Sequence, residues 1–383
     1  NENVFVWSNK FRDHYSLTAV NNSFESASGR IYHSVLKKER ASDRLVSFSI
    51  FQALDLDEGR DNYVYFTELN SGLTYIQKTG EILSKGIYIE LNGYGKNVFC
   101  DFTRVTDTDG SWKQVAEALG GKGTKDIHRE KRKLKLQPSR EFLRTLLSGR
   151  NMELWLSSVE QKKFPLFIKQ IKKDLEQLYS LLMNTGILPQ NGGVPAEAFS
   201  LECRKLEQLL KKDELMDSYI PEGIAIMPES PYLLLVRLIL TPVLEPFFKD
   251  EYFPQAVQEF IEDLDLVSIL RTVLPIELFL EEAKDEIISL LMVTSVFNPA
   301  APVRKELLEI LTASPSVKKY LGINIWEGVT WFKREPFQTF TWWIYLLYRM
   351  EDTMLGEHLK TLIKEWILGE EKSGCNLDKL LEF

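Results

Sequence analysis

The chain has 383 residues, enough for two or three domains. Its apolar content of 44% is ordinary for a globular protein, and a net charge of -8 argues against a general nucleic-acid binder, which needs surplus Lys and Arg. The cysteines Cys100, Cys203 and Cys375 stand far apart, which gives neither a disulfide framework nor CxxC metal spacing and points to reduced thiols in the cytoplasm.

The opening NENVFVWSNKF has no basic segment followed by an apolar one, so it does not read as a signal peptide, and it carries no initiator Met. The first hundred or so residues read as strands: Val4–Trp7, Tyr15–Val20, Arg30–Val35, Tyr63–Leu69, Leu73–Gln77, Ile87–Leu91 and Val98–Val105. They are rich in β-branched and aromatic residues and are separated by turn signals such as NNS, DEGRDN, NSG and NGYGKN. This spacing predicts an antiparallel sandwich or open barrel. Leu45–Leu56 fits a short buried helix as well as a strand.

The texture changes at Thr106. DGSWKQVAEALGG offers an N-cap at Asp109 or Ser111 and a helix ending at Gly120-Gly121. Helical patterns then dominate to the C-terminus. In the segment ending at Gly186, Phe167, Ile168, Ile171, Leu175, Leu178 and Leu182 recur at three- and four-residue steps and form one apolar face. The predicted fold class is therefore α+β and multi-domain: a β-sandwich-like domain over residues 1–110 and an all-helical region over 111–383. An internal seam near 187–195 is one possibility, and PEGIAIMPESP (Pro221–Pro231) is a second break.

No residue pattern announces chemistry. His14, His33, His128 and His358 lack a partner His or Cys at metal-ligand spacing, and there is no nucleophile elbow or phosphate-binding loop. No catalytic, cofactor-binding or metal residue is assigned. Gly120–Gly123 (GGKG) follows a helix and reads as its C-cap. The acidic pairs Asp55/Asp57, Asp107/Asp109, Glu281/Glu282 and Glu370/Glu371 read as solvated surface. The basic run Lys122–Gln137 lacks interleaved aromatics for base stacking and reads as a solvated helix or linker. Four of the eight tryptophans lie in Gly322–Met350. Its longest uncharged run is too short to cross a membrane, and the helix from Pro336 onward is apolar nearly all round, so the aromatic stretch Trp326–Tyr348 is read as core packing rather than a sugar platform.

Several segments carry a family resemblance. Val4–Val35, with Ser8-Asn9, Leu17–Asn21 and Gly29-Arg30-Ile31, resembles the strands that follow the catalytic barrel in large bacterial proteins of the α-amylase superfamily. Tyr63–Phe102, the step DGSWKQVAEALGGKGT and the ending Leu321–Leu347 resemble later segments of the same proteins. The resemblance implies retaining chemistry on α-glucosidic bonds, performed by two aspartates and a glutamate on a barrel whose motifs do not occur here. It implies that this chain is a C-terminal, non-catalytic part of a longer protein. The implied partners are the barrel of the same polypeptide and an α-glucan, with no cofactor, nucleic acid or membrane. The rival reading is a free-standing helical interaction module.

Overall fold

The computed structural model of the chain describes residues 2–38, 44–160, 164–188, 195–211, 230–244, 247, 255–274, 281–297, 306–351 and 353–382. The chain forms two compact units, Asn1–Lys135 and Leu136–Phe383.

The first unit is built on β1 (Val4–Phe11), β2 (His14–Asn21), β6 (Asn62–Glu68), β7 (Leu73–Lys78) and β9 (Lys96–Thr106). They form a five-stranded antiparallel sheet in the order β1-β2-β9-β6-β7. β3 (Ala27–Ile31) and β8 (Ile87–Leu91) pair in a separate antiparallel ladder. Alternation along β8 is strict: Ile87, Ile89 and Leu91 are buried, and Tyr88 and Glu90 are exposed. Those three side chains join Leu17, Ala19, Val64, Phe66 and Phe99 of the large sheet in one core. β4 (Lys37–Lys38) and β5 (Leu45–Val46) form a small hairpin ladder.

The ambiguous stretch Leu45–Leu56 resolves into both structures. β5 is followed by α1 (Ile50–Ala53), which starts at a capping box: Ser49 Oγ accepts the Gln52 N–H, and the Gln52 side chain accepts the Ser49 N–H. A further helix, α2 (Thr79–Lys85), lies between the expected strands Leu73–Gln77 and Ile87–Leu91, and it buries Ile82 in the same core. The strand expected at Arg30–Val35 sits earlier, at Ala27–Ile31.

Two helices complete this unit, α3 (Ser111–Leu119) and α4 (Ile127–Lys135). Trp112, Val115 and Ile127 form a small core with Tyr63 and Ile76 of the sheet. The helices thereby pack with the β unit, which extends past residue 110 to Lys135. The N-cap of α3 is Gly110, not the expected Asp109 or Ser111, because the free N–H groups of the first turn are taken by side chains further back: Asp107 accepts those of Trp112 and Lys113, and Asp109 accepts that of Ser111. Gly120 closes α3 in the left-handed conformation at φ 54°, the expected C-cap. Gly123 is needed for a different reason. A Cβ there would lie 2.8 Å from Leu73 Cβ, and the close approach lets Thr124 pair with Thr74.

The second unit is helical: α5 (Gln137–Leu146), α6 (Gly149–Glu160), α7 (Phe164–Met183), α8 (Pro195–Lys211), α9 (Ser230–Leu244), α10 (Gln255–Asp263), α11 (Leu266–Val273), α12 (Glu281–Val296), α13 (Leu307–Ala313), α14 (Pro315–Leu321), α15 (Arg334–Glu351), α16 (Thr353–Ser373) and α17 (Leu377–Leu381). A short hairpin, β10 (Asn324–Trp326) with β11 (Val329–Trp331), precedes α15. The predicted apolar face of α7 is buried at Phe167, Ile171, Leu175, Leu178 and Leu182. One core cluster runs from Leu136 to Leu380. The expected seam near 187–195 and the break at Pro221–Pro231 fall mostly outside the described residues. No described helix is long and apolar enough to cross a membrane.

Candidate functional site

The tryptophan-rich stretch divides by position. From Pro336 to Met350, α15 is buried on nearly every side, including Phe340, Trp343, Ile344 and Tyr348, as its apolar circumference predicts. Trp326 corrects the core reading: it lies on the short hairpin before the helix, where no second layer among the described residues covers it, and is 64% exposed. The hairpin turns at Glu327 and Gly328, with φ of 49° and 78°. Both central residues are left-handed, the geometry of a tight two-residue hairpin loop.

The acidic pairs have mixed fates. Asp55 accepts hydrogen bonds from Lys10 Nζ at 3.1 Å and Tyr15 Oη at 3.0 Å, which hold its carboxyl below the usual range. Asp57 lies 3.8 Å from Arg104. Asp107 and Asp109 cap α3, and Asp109 is also paired with Lys135 at 2.9 Å. The side chains of Glu281 and Glu282 lie outside the described residues. Glu370 corrects the surface reading: it is fully buried. It accepts from Arg334 Nε at 2.6 Å and Gln338 Nε2 at 3.2 Å, with the Cys375 thiol at 3.7 Å. Burial and the Glu370 charge push that thiol up, so it is held protonated and is a poor nucleophile. These groups link α15 to the end of α16.

Glu68 is a second buried carboxylate, with its oxygens accepting the N–H groups of Asn70, Ser71 and Val98 at 3.2, 2.8 and 3.4 Å. Burial alone would raise its pKa. The Ser71, Asn70 and Val98 donors outweigh that, and the net shift is downward. The ionised form therefore contributes stability above the ordinary Glu range, and the contribution fades as pH falls through the lowered pKa. Glu68→Ala is expected to cost the β unit about 1–3 kcal/mol, because it orphans buried N–H groups. A thermal melt at neutral pH checks this, and a melting temperature equal to that of the wild type would refute it.

The basic run forms α4, and much of its charge is already engaged. Lys133 pairs with Glu130 at 3.4 Å, and Lys135 with Asp109. Lys131 lies over the Trp112 ring, 4.1 Å from its centroid. His128 meets Tyr65 and Trp112 edge to face. Tertiary structure thus supplies the aromatic neighbours that the run lacks in sequence, but Trp112 is itself buried beneath Lys131. His14 and His33 are exposed, and the side chain of His358 lies outside the described residues. Among the described residues, no three His, Cys, Asp or Glu side chains converge as a metal site would require.

Two features were not anticipated from the sequence. The first is a buried ionic network in the helical unit. Arg237, on α9, is 1% exposed; its Nε donates to the Thr294 carbonyl at 3.2 Å, and its Nη1 lies 4.0 Å from Glu202. Lys205 joins Glu202 at 2.9 Å and Glu351 at 2.6 Å, tying α8 to α15. A lone Arg inside the apolar run LLLVRLIL was the available signal. The second is an aromatic face on β1. Val4 and Val6 pack on the β core, so Phe5, Trp7 and Phe11 point the other way and are exposed. β1 is also an edge strand of its sheet.

The fold and these features define a two-part protein: an antiparallel β unit with an outward aromatic face, followed by a helical unit with a buried charge network. No protein-family model, curated protein or solved structure matches the chain.

Proposed function

We propose that this chain is the non-catalytic C-terminal region of an α-amylase-like protein of α-glucan metabolism, working in the cytoplasm with its thiols reduced. In this reading the β unit is a sandwich-like support for a catalytic barrel carried earlier in the same polypeptide. The observation that carries the proposal is the β1 face: Phe5, Trp7 and Phe11 are 52%, 46% and 69% exposed on one side of an edge strand. Several large apolar side chains lined up in solvent mark a surface that another domain or protein covers. The resemblance of the surrounding segments to strands that follow a barrel supplies the identity of that domain. The β3–β8 ladder, which shares its core with the large sheet, supports the sandwich-like description.

The test is the reading frame upstream of the Asn1 codon. A frame running back into a (β/α)₈ barrel that carries an aspartate, a glutamate and a second aspartate in that order supports the proposal. A frame encoding anything else overturns it. A start codon immediately before Asn1 favours the rival reading, in which the same aromatic face binds a separate protein.

The face also makes a prediction for the isolated chain. The triple variant Phe5→Ser, Trp7→Ser, Phe11→Ser is expected to keep its stability to within about 0.5 kcal/mol per site, as exposed positions do. It is expected to lose self-association at high concentration. Sedimentation of both proteins checks this, and equal self-association would remove the face as a docking surface.

A further inference from the structure

In the helical unit, α10, α11, α12 and α14 surround an open cavity of about 470 Å³. This lies inside the range of roughly 300–1,000 Å³ typical of small-molecule sites. Ile261, Val267, Ile288, Met292 and Val293 make its lining predominantly apolar. Arg271 and Lys319 bring two cations to it from different helices, α11 and α14. Arg271 is joined to Asp285 by one of its terminal nitrogens, in a pair that is exposed on both sides. Such a pair holds its partner weakly, and a guanidinium has further N–H donors to offer. Lys319 has no ion-pair partner among the described residues. Asp285 and Glu262 also line the cavity, so two carboxylates stand against the two cations, which disfavours a ligand with several negative charges.

From this arrangement we infer that the cavity is a binding site for an amphipathic monocarboxylate, a molecule with an apolar chain or ring and a single carboxylate. The apolar part lies against Ile288, Met292 and Val293, and the carboxylate is taken by Arg271 and Lys319. A guanidinium suits a carboxylate because two parallel N–H groups match its two oxygens. Ser289, on α12, stands in the lining and is half-buried, so a large side chain there would occupy the space without disturbing the core. The inference concerns the helical unit alone and stands whether or not a barrel precedes the chain.

The experiment is calorimetric titration of the full chain with decanoate, below its micelle-forming concentration, and with 1-decanol as the uncharged match. Saturable binding of decanoate is expected, with decanol at least about tenfold weaker. Arg271→Gln and Lys319→Glu, both at exposed positions, are each expected to weaken decanoate by about fivefold, the effect of losing one charged contact of about 1 kcal/mol. Ser289→Trp is expected to abolish binding while leaving the far-ultraviolet dichroism unchanged. Absence of saturable binding overturns the inference. So does equal affinity for decanol, or full binding by a folded Ser289→Trp variant.

Discussion

Glu202→Ala is expected to destabilise the helical unit by about 3–5 kcal/mol, the usual consequence of leaving a buried charge without its partner. Arg237 is the reason. Its guanidinium is out of water, and burial lowers its pKa against the opposing pull of Glu202 and Glu351. Its Nη1 makes no hydrogen bond, so Glu202, 4.0 Å away, is its nearest compensation. Removing the cation instead has a different sign of logic. Arg237→Met keeps the apolar volume and removes the desolvated charge, and replacements of that kind are often neutral or stabilising. Lys205 still bridges Glu202 and Glu351 in that variant. The double variant is therefore expected to recover most of the loss caused by Glu202→Ala. Urea denaturation followed by helical dichroism measures all three, and the cycle isolates the coupling. A Glu202→Ala variant within about 0.5 kcal/mol of the wild type, the range of an ordinary surface change, would show that Arg237 does not depend on it. Lys205 adds a pH dependence. Burial acts to lower its pKa, but hydrogen bonds to Glu351 and Glu202 outweigh burial and raise it. Its contribution is complete below the ordinary lysine range and is lost as pH rises through the raised value, so the helical unit weakens in alkali.

Trp343→Ala is expected to cost about 3–5 kcal/mol, and Trp326→Ala no more than about 0.5 kcal/mol. The two residues belong to the same aromatic-rich stretch but differ in surroundings. Trp343 is 2% exposed and sits among Phe337, Phe340, Ile344 and Leu347 in the helical core. Truncation there removes apolar area and leaves a cavity that packed helices cannot fully close. Trp326 projects from β10 into solvent, where truncation deletes little contact. Denaturant midpoints for the two variants decide the matter. Equal, small losses would mean that Trp343 is not a core residue. A Trp343→Ala variant of native stability that fails to bind maltodextrin would restore the sugar-platform reading of this stretch.

Much of the secondary structure was legible because local rules decide it. Gly120 ends α3 as expected, while its N-cap falls at Gly110, between the two expected candidates Asp109 and Ser111. The three- and four-residue apolar spacing of α7 names its buried face, and the closed apolar circumference of α15 predicts burial on several sides. The division into a β part and a helical part follows from β-branched residues and turn signals giving way to helical periodicity at Thr106.

Tertiary structure decided the rest. In β1 the alternation Val4-Phe5-Val6-Trp7 is apolar on both faces, so period two cannot say which face is inward; packing buries the valines and leaves the aromatics outside. In LGEEKSG, Glu370 and Glu371 look equivalent, and only the return of Arg334 and Gln338 from 36 and 32 residues away makes one of them a buried partner. The β unit extends to Lys135 because Trp112 and Ile127 find Tyr63 and Ile76 across the sheet. The apolar cavity and the charges lining it come from four separate helices. Periodicity reports what a residue's immediate neighbours permit. Burial, charge pairing and cavities depend on which distant segments meet, and that is set by packing the whole chain at once.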